Sequence, residues 1–500
     1  MTNASTARPV RLTGPRGWVS RLPGKPDLVS LVRTIDVPVR SVAQFEAVIG
    51  PDRQSHLVRA ADVFRKHLAD RTIWNVSSTA VGGGVAEMLQ VLIGYTEDLE
   101  IPIRWGVITG DAEFFVLTKR LHNQIHGDLA GGPISGAEAG WYAKMLAANA
   151  VELLDEIRPG DLVLLHDPQT AGLAAPLTSA GAQVAWRCHI GLDWQNEATA
   201  AAWSFLRPYL EPVQASVFSR REYVPGWMRN VAIIPPSIDP FSPKNEHLDD
   251  DVVQAILRRI GVVESATSDS QPTFTRSDGS IGLVTRSAEI TADSLPGLAE
   301  PLVVQVSRWD RLKDMPGVMH GFARYTSSGG PGYLMLVGPA VAGVADDPEG
   351  AAEFSECLLQ WRKLPASIRS RVMLVTLPLE DPDENGVMVN ALQRHASVIV
   401  QKSLAEGFGL TVAEGMWKSR PVIGSAVGGI IDQIADGTGI LLPDPRDLDA
   451  FAAALGQLLS DPDEASAMGK AAHAYIAEHY VGDLHLRRYA DLFEAMISAS

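Results

Sequence analysis

The sequence predicts an α/β protein built from two doubly wound, parallel-sheet domains that face a central cleft. Three observations carry this. The chain has 500 residues, more than one ordinary hydrophobic core organises. Short apolar runs alternate with helix-period segments from Thr72 to Ser219, the pattern of parallel βαβ units. After a Pro-rich break and a polar stretch, a second series of the same kind begins at Leu302.

In chain order, residues 1–70 read as a leader, Pro- and Arg-rich text followed by a charged helical extension. Residues 71–240 form the first domain, with strands expected at 72–76, 103–108, 161–165, 183–187 and 215–219. Helices are expected at 85–98, 112–126, 137–157 and 197–209. Residues 241–300, polar and Ser/Thr-rich, read as a linker or insertion. The second domain covers 301–480, with strands at 302–306, 333–337, 372–376, 398–401 and 421–424. A last helix within 481–500 is expected to cross back to the first domain.

Composition narrows the function. Lys and Arg number 43 against 59 Asp and Glu, a net charge of −16 that argues against nucleic-acid binding. An anionic ligand then needs a local basic pocket. Two cysteines, Cys188 and Cys357, cannot make a disulfide framework and fit a reducing compartment. The N-terminus lacks the apolar core of a signal peptide, and no window is apolar enough for a membrane span. A cytoplasmic location is therefore expected, with small molecules as partners and a homodimer compatible with the text.

Four stretches carry chemistry. In Gln401-Lys-Ser-Leu-Ala-Glu-Gly-Phe-Gly-Leu-Thr-Val-Ala-Glu-Gly415, a strand end runs through a glycine turn into a helix, with Glu406 and Glu414 on either side of Gly407-Phe408-Gly409. Glycines admit a close ligand, and the amides at Leu410 and Thr411 can face a phosphate. Ser307-Arg-Trp-Asp-Arg-Leu-Lys-Asp314 places Arg308 and Lys313 just after a strand, where two cations can hold a diphosphate. Gly82-Gly83-Gly84 follows the first strand and reads equally as a tight turn or as amides for a phosphate. His166-Asp167-Pro168 and Arg187-Cys188-His189 end consecutive strands and aim polar groups at the cleft. Asp249–Asp251 and Asp381/Asp383 read as solvated acidic turns, so no metal site is expected. Neither a phosphate-binding Gly-Lys-Ser/Thr loop nor a His-Glu-x-x-His zinc motif is present.

These motifs resemble family 4 of the retaining nucleotide-sugar glycosyltransferases, whose spaced glutamates match Glu406 and Glu414 and whose diphosphate cations match Arg308 and Lys313. The resemblance is closer to the branch of glycosyltransferring trehalose synthases and trehalose phosphorylases. It rests on Trp74 to Glu87, Phe114-Phe115, Thr118-Lys119, His122-Asn123, His166-Asp-Pro-Gln169, Trp186-Arg-Cys-His-Ile190, Ile234-Pro-Pro-Ser-Ile-Asp239 and Asn390-Ala-Leu-Gln393. The chain departs from the branch by placing Gly191 after Cys-His-Ile, with Asp193 two residues later.

The resemblance implies a GT-B fold, two Rossmann-like domains around a cleft. It implies transfer of glucose from a nucleoside diphosphate glucose to glucose, giving α,α-1,1-linked trehalose with retention. The alternatives are phosphorolysis through glucose 1-phosphate, another hexose donor or acceptor, or a non-catalytic nucleotide-sugar sensor. In the implied site, His189, Arg308, Lys313 and Glu406 are catalytic. Gly83, Gly84, Gly407, Phe408, Gly409, Leu410, Thr411 and Glu414 join Arg308 and Lys313 on the donor, with Glu414 on the ribose. Asp111, Lys119, Asp167 and Arg187 face the acceptor. No cofactor is required, and a divalent metal is at most stimulatory.

Overall fold

The computed structural model describes residues 31–80, 84–264, 270–341 and 348–499. Its N-terminal domain holds strands β1 (Val32–Thr34), β2 (Ile73–Ser77), β3 (Ile103–Ile108), β4 (Leu162–His166), β5 (Gln183–Cys188), β6 (Ala215–Phe218) and β7 (Val231–Ile233). They form one seven-stranded sheet in the order β1-β3-β2-β4-β5-β6-β7, parallel except for β1. β2 and β4 are buried along their whole length, as strands covered by helices on both faces must be.

The C-terminal half begins with a small hairpin of β8 (Thr273–Thr275) and β9 (Ile281–Leu283). A second seven-stranded sheet follows, made of β10 (Glu289–Thr291), β11 (Leu302–Val306), β12 (Tyr333–Pro339), β13 (Val372–Leu377), β14 (Val398–Gln401), β15 (Val422–Ser425) and β16 (Ile440–Leu442). Its order is β10-β13-β12-β11-β14-β15-β16, parallel except for β10.

Strand order reverses between β2 and β4 in one sheet and between β11 and β14 in the other. Ligands of doubly wound sheets bind outside the carboxyl ends of strands at such reversals. The described loop residues there are 78–80 and 167–171 on one side, 307–314 and 402–409 on the other. The Ser307–Asp314 and Gln401–Gly415 stretches and His166-Asp167-Pro168 thus sit at a switch point, and Arg187-Cys188-His189 ends the next strand over.

Local signals fix the helices around the cleft. Asp111 caps Ala112–Ile125 by accepting from the Phe114 amide, and Ser135 with Glu138 forms a reciprocal capping box on Gly136–Glu156. Gly409, at φ 81°, turns the chain into Leu410–Trp417.

Two segments differ from the sequence reading. The described part of the leader is built into the N-terminal domain. Val32–Thr34 pairs antiparallel with β3, and Glu46–Leu68 buries Leu57, Ala61, Phe64 and Leu68. The 241–300 segment belongs to the C-terminal domain. Asp250–Ile260 buries Val253, Ile256, Leu257 and Ile260 in its core, and β10 edges its sheet. Three-residue strands are too short to show periodicity, which is why both segments read as connectors.

The chain crosses back after Tyr480, whose carbonyl accepts from the Ile238 amide at 2.9 Å. Gly482–Ser498 then packs Leu486, Phe493 and Met496 into the N-terminal core, and Arg53 grips the buried Asp483 with two bonds of 2.6 and 2.7 Å. No helix among the described residues is long and apolar enough to cross a membrane.

Candidate functional site

The C-terminal wall is assembled from the loop after β11. Trp309 is buried and donates to the Pro339 carbonyl at 2.9 Å, which anchors the loop. Asp310 caps a short turn over Arg311–Lys313, and Gln305 donates to the Lys313 carbonyl at 2.8 Å. Asp314, in left-handed backbone at φ 47°, starts the next helix and pairs with Lys402, which is fully buried. The lysine ammonium of residue 313 is thereby held 2.6 Å from the Glu406 carboxylate, which also accepts from Ser403 at 3.2 Å. Arg308 is different. Its side chain is 64% exposed and pairs with Asp310 at 3.2 Å, which leaves its guanidinium open to an incoming anion.

Beyond Glu406, Gly409 leaves the N-terminus of Leu410–Trp417 without a side-chain cap. The first-turn amides at Leu410 and Thr411 then suit an anion. Thr411 itself donates its hydroxyl to Gln401 at 2.9 Å. Phe408 packs into the domain core against Tyr480, so its ring spaces the loop rather than lining the cleft. Glu414 is nearly buried one turn further on, 3.7 Å from Lys244, which also reaches Glu87 at 3.3 Å. The Glu414 carboxylate raises the Lys244 pKa, so the lysine stays charged.

On the N-terminal wall, the neighbouring strands β2, β4 and β5 supply a continuous hydrogen-bonded chain. His166 lies 3.0 Å from the Asn75 amide oxygen through Nε2 and 3.0 Å from His189 Nε2 through Nδ1. Arg187 donates to His189 Nδ1 at 3.0 Å. Burial drives the His166 pKa down to about 3 and that of His189 well below its ordinary value. Both rings are therefore neutral. One assignment then pairs every nitrogen: Nε2 carries the proton on each ring, and each Nδ1 accepts.

This network redefines two candidates. Arg187 is wholly buried, committed to His189 and the Tyr489 hydroxyl, and so stands behind the cleft wall rather than free in it. Both ring nitrogens of His189 are occupied. It is the His189 carbonyl that points across the cleft, 3.5 Å from where a Cβ on Gly407 would lie.

Asp167 sits at φ 61° and accepts from the His189 amide at 2.7 Å. Burial pushes its carboxyl up to about 7. Asp111 is occupied as a helix cap and by Trp141 at 3.2 Å. Lys119 is exposed on the helix Ala112–Ile125, and its charge is felt by His122 and His126. Gly84 opens the helix Gly84–Asp98 with clear space where a side chain would be. Gly83 lies outside the described residues.

His122 and His126 were not among the sequence candidates. His126 lies in the field of Glu406 and Lys313, and its Cε1 is 3.6 Å from the Cβ position of Gly407. Burial lowers its pKa to about 4 and that of His122 well below the ordinary value. The available signal was their four-residue spacing at the end of a helix beside the cleft. Among the described residues no three His, Cys, Asp or Glu side chains converge as a metal-binding group. Asp381 instead caps a helix and pairs with Arg276 at 2.9 Å.

The model of the trehalose synthase N-terminal domain matches residues 75–225, and that of group 1 glycosyl transferases matches 383–475. A trehalose synthase of Pyrococcus horikoshii is 32% identical over 91% of this chain and 97% of its own. One from Rubrobacter xylanophilus is 30% identical over 92% and 97%. A trehalose phosphorylase of Grifola frondosa is 22% identical, and this chain spans 59% of it. Among solved structures, a UDP-forming α,α-trehalose-phosphate synthase from Burkholderia vietnamiensis superimposes with a TM-score of 0.62 at 14% identity, covering 86% of this chain and 100% of that one. That likeness establishes the GT-B fold. The chain is a glycosyltransferase and belongs to the trehalose synthase family.

Proposed function

We propose that this glycosyltransferase moves glucose from a nucleoside diphosphate glucose onto a second glucose, forming α,α-trehalose with retention. The observation that carries this is the Lys313–Glu406 pair at the C-terminal switch point, whose neighbour Gly407 faces the His189 carbonyl of the opposite wall. Lys313 and the exposed Arg308 receive the diphosphate. Glu406 and the Gly407 turn hold the hexose, and Glu414, oriented by Lys244, takes the ribose. The acceptor sugar enters past Lys119 and Asp167.

In the reaction the bond from the anomeric carbon to the diphosphate oxygen breaks. A bond from the acceptor hydroxyl oxygen forms on the same face, and the hydroxyl proton passes to a departing phosphate oxygen. Retention by double displacement would need a free carboxylate nucleophile. Glu406 is engaged by a cation and Asp167 by the His189 amide, which supports front-side displacement instead. Catalysis then rests on positioning and on charge stabilisation at the leaving group. With two cations supplying that charge, a divalent metal is at most stimulatory. The two free, buried thiols, Cys188 and Cys357, support a cytoplasmic setting.

Incubating the protein with glucose and each of a panel of nucleoside diphosphate glucoses, and separately with glucose 1-phosphate, tests the reading. Non-reducing disaccharide and free nucleoside diphosphate are expected from the first arm. Product from glucose 1-phosphate alone would replace the transferase with a phosphorylase.

A further inference from the structure

The loop that departs from the branch pattern, residues 190–196, lies across the domain interface. Asp193 accepts from the Gly428 amide at 2.8 Å through one carboxylate oxygen and pairs with Arg220 through the other. Arg220 follows β6, and its side chain is 4% exposed. From there it donates to the Gly428 carbonyl at 2.7 Å and lies 2.7 Å from Asp432. One guanidinium therefore joins a loop of the N-terminal domain to a turn and a helix of the C-terminal domain.

Both ends of this link reach the reaction site. On one side, Asp193 is four residues from His189, whose carbonyl faces Gly407. On the other, a Cβ on Gly428, at φ 53°, would lie 1.8 Å from the Glu406 carbonyl, so that turn is pressed against the Glu406 backbone. A second arm runs beside it. The Tyr223 hydroxyl donates to the carbonyls of Gly407 and of Glu406, the latter at 3.1 Å. Gly191 makes room for that ring, since a Cβ there would sit 2.1 Å from it. Gly191 thus lets the acceptor-side loop pack on Tyr223.

We infer that Asp193 and Arg220 are positioning residues: an ion-paired latch that couples the acceptor loop to the donor loop, so that Glu406 and the His189 carbonyl meet the sugar only in the closed molecule. Closure excludes water, which would otherwise take the glucosyl group in place of the acceptor. Breaking the latch shifts the population toward an open form that still binds the nucleotide on its C-terminal wall. The inference rests on the transferase reading above.

The test compares wild type with Arg220→Ala, Asp193→Ala, Arg220→Lys and Asp193→Asn. Circular dichroism confirms folding, and the two conservative variants carry the test if an alanine variant fails to fold. Small-angle X-ray scattering of the free proteins is expected to show a larger radius of gyration for the alanine variants. Transfer kcat is expected to fall about tenfold, as for loss of a charge-assisted bond. Donor KM should stay within threefold, and the share of donor lost to hydrolysis should rise severalfold. Arg220→Lys and Asp193→Asn should fall between. An unchanged radius with an unchanged hydrolysis share in folded variants overturns the latch. Absence of any transfer by the wild type overturns the transferase reading instead, while the scattering comparison still decides the latch.

Discussion

The Lys313 ammonium lies 2.6 Å from a Glu406 carboxylate oxygen, a pair drawn together from two loops that follow adjacent strands of the C-terminal sheet. Both side chains are largely shielded, at 14% and 11% exposure. A cation held this way is preorganised for the leaving diphosphate and needs no rearrangement as charge develops. Lys313→Ala is expected to lower kcat on the order of 100-fold or more. Steady-state rates with saturating donor check this, and wild-type-like turnover would remove the diphosphate from this position.

Glu414 and Lys244 bear on donor binding rather than on the bond being broken. Glu414→Gln and Lys244→Met are each expected to raise donor KM about tenfold while kcat changes little, the signature of a lost uniform binding contact. A fall in kcat at constant KM would take the ribose away from Glu414.

Arg187 holds His189 from behind the wall. Arg187→Met removes the bonds to His189 Nδ1 and to the Tyr489 hydroxyl and leaves the His189 ring bonded to His166. A loss of about 1–3 kcal/mol in stability is expected, since His189 Nδ1 is left buried without its donor. Urea unfolding of the variant against wild type reads this loss.

Asp167 gives a pH dependence with a definite sign. Burial raises its carboxyl from the ordinary 3.8 to about 7 in the folded chain, so the folded state binds this proton more readily than the unfolded one. Its contribution to stability is fully present below pH 3.8 and declines until the group is ionised above pH 7. Asp167→Asn keeps an oxygen for the His189 amide but cannot ionise. The melting temperature of the variant relative to wild type is therefore expected to be higher at pH 8 than at pH 4. A difference independent of pH would show that Asp167 stays ionised throughout.

Much of this molecule is legible in its sequence because the signals are local. A buried parallel strand is a short apolar run, a helix shows its period, and a glycine turn shows where backbone meets ligand. Those rules locate the central strands of both sheets and place Arg308, Lys313 and Glu406 in loops that follow strands, with Glu414 in the helix beyond, without any coordinates. The three-residue strands Val32–Thr34, Val231–Ile233, Glu289–Thr291 and Ile440–Leu442 escape them, being too short for a pattern and fixed only by pairing with β3, β6, β13 and β15.

What the tertiary structure alone decides is which polar group meets which. Arg187 and His189 look like equivalent cleft residues in the text, but neighbouring strands bring Asn75 and His166 against them, and burial keeps both imidazoles neutral. His126, Tyr223 and Arg220 carry no motif and gain their meaning from the opposite domain. Such contacts join positions far apart in the chain, and their strength comes from shared burial between two packed domains. Neither the distance nor the burial exists until the chain has folded.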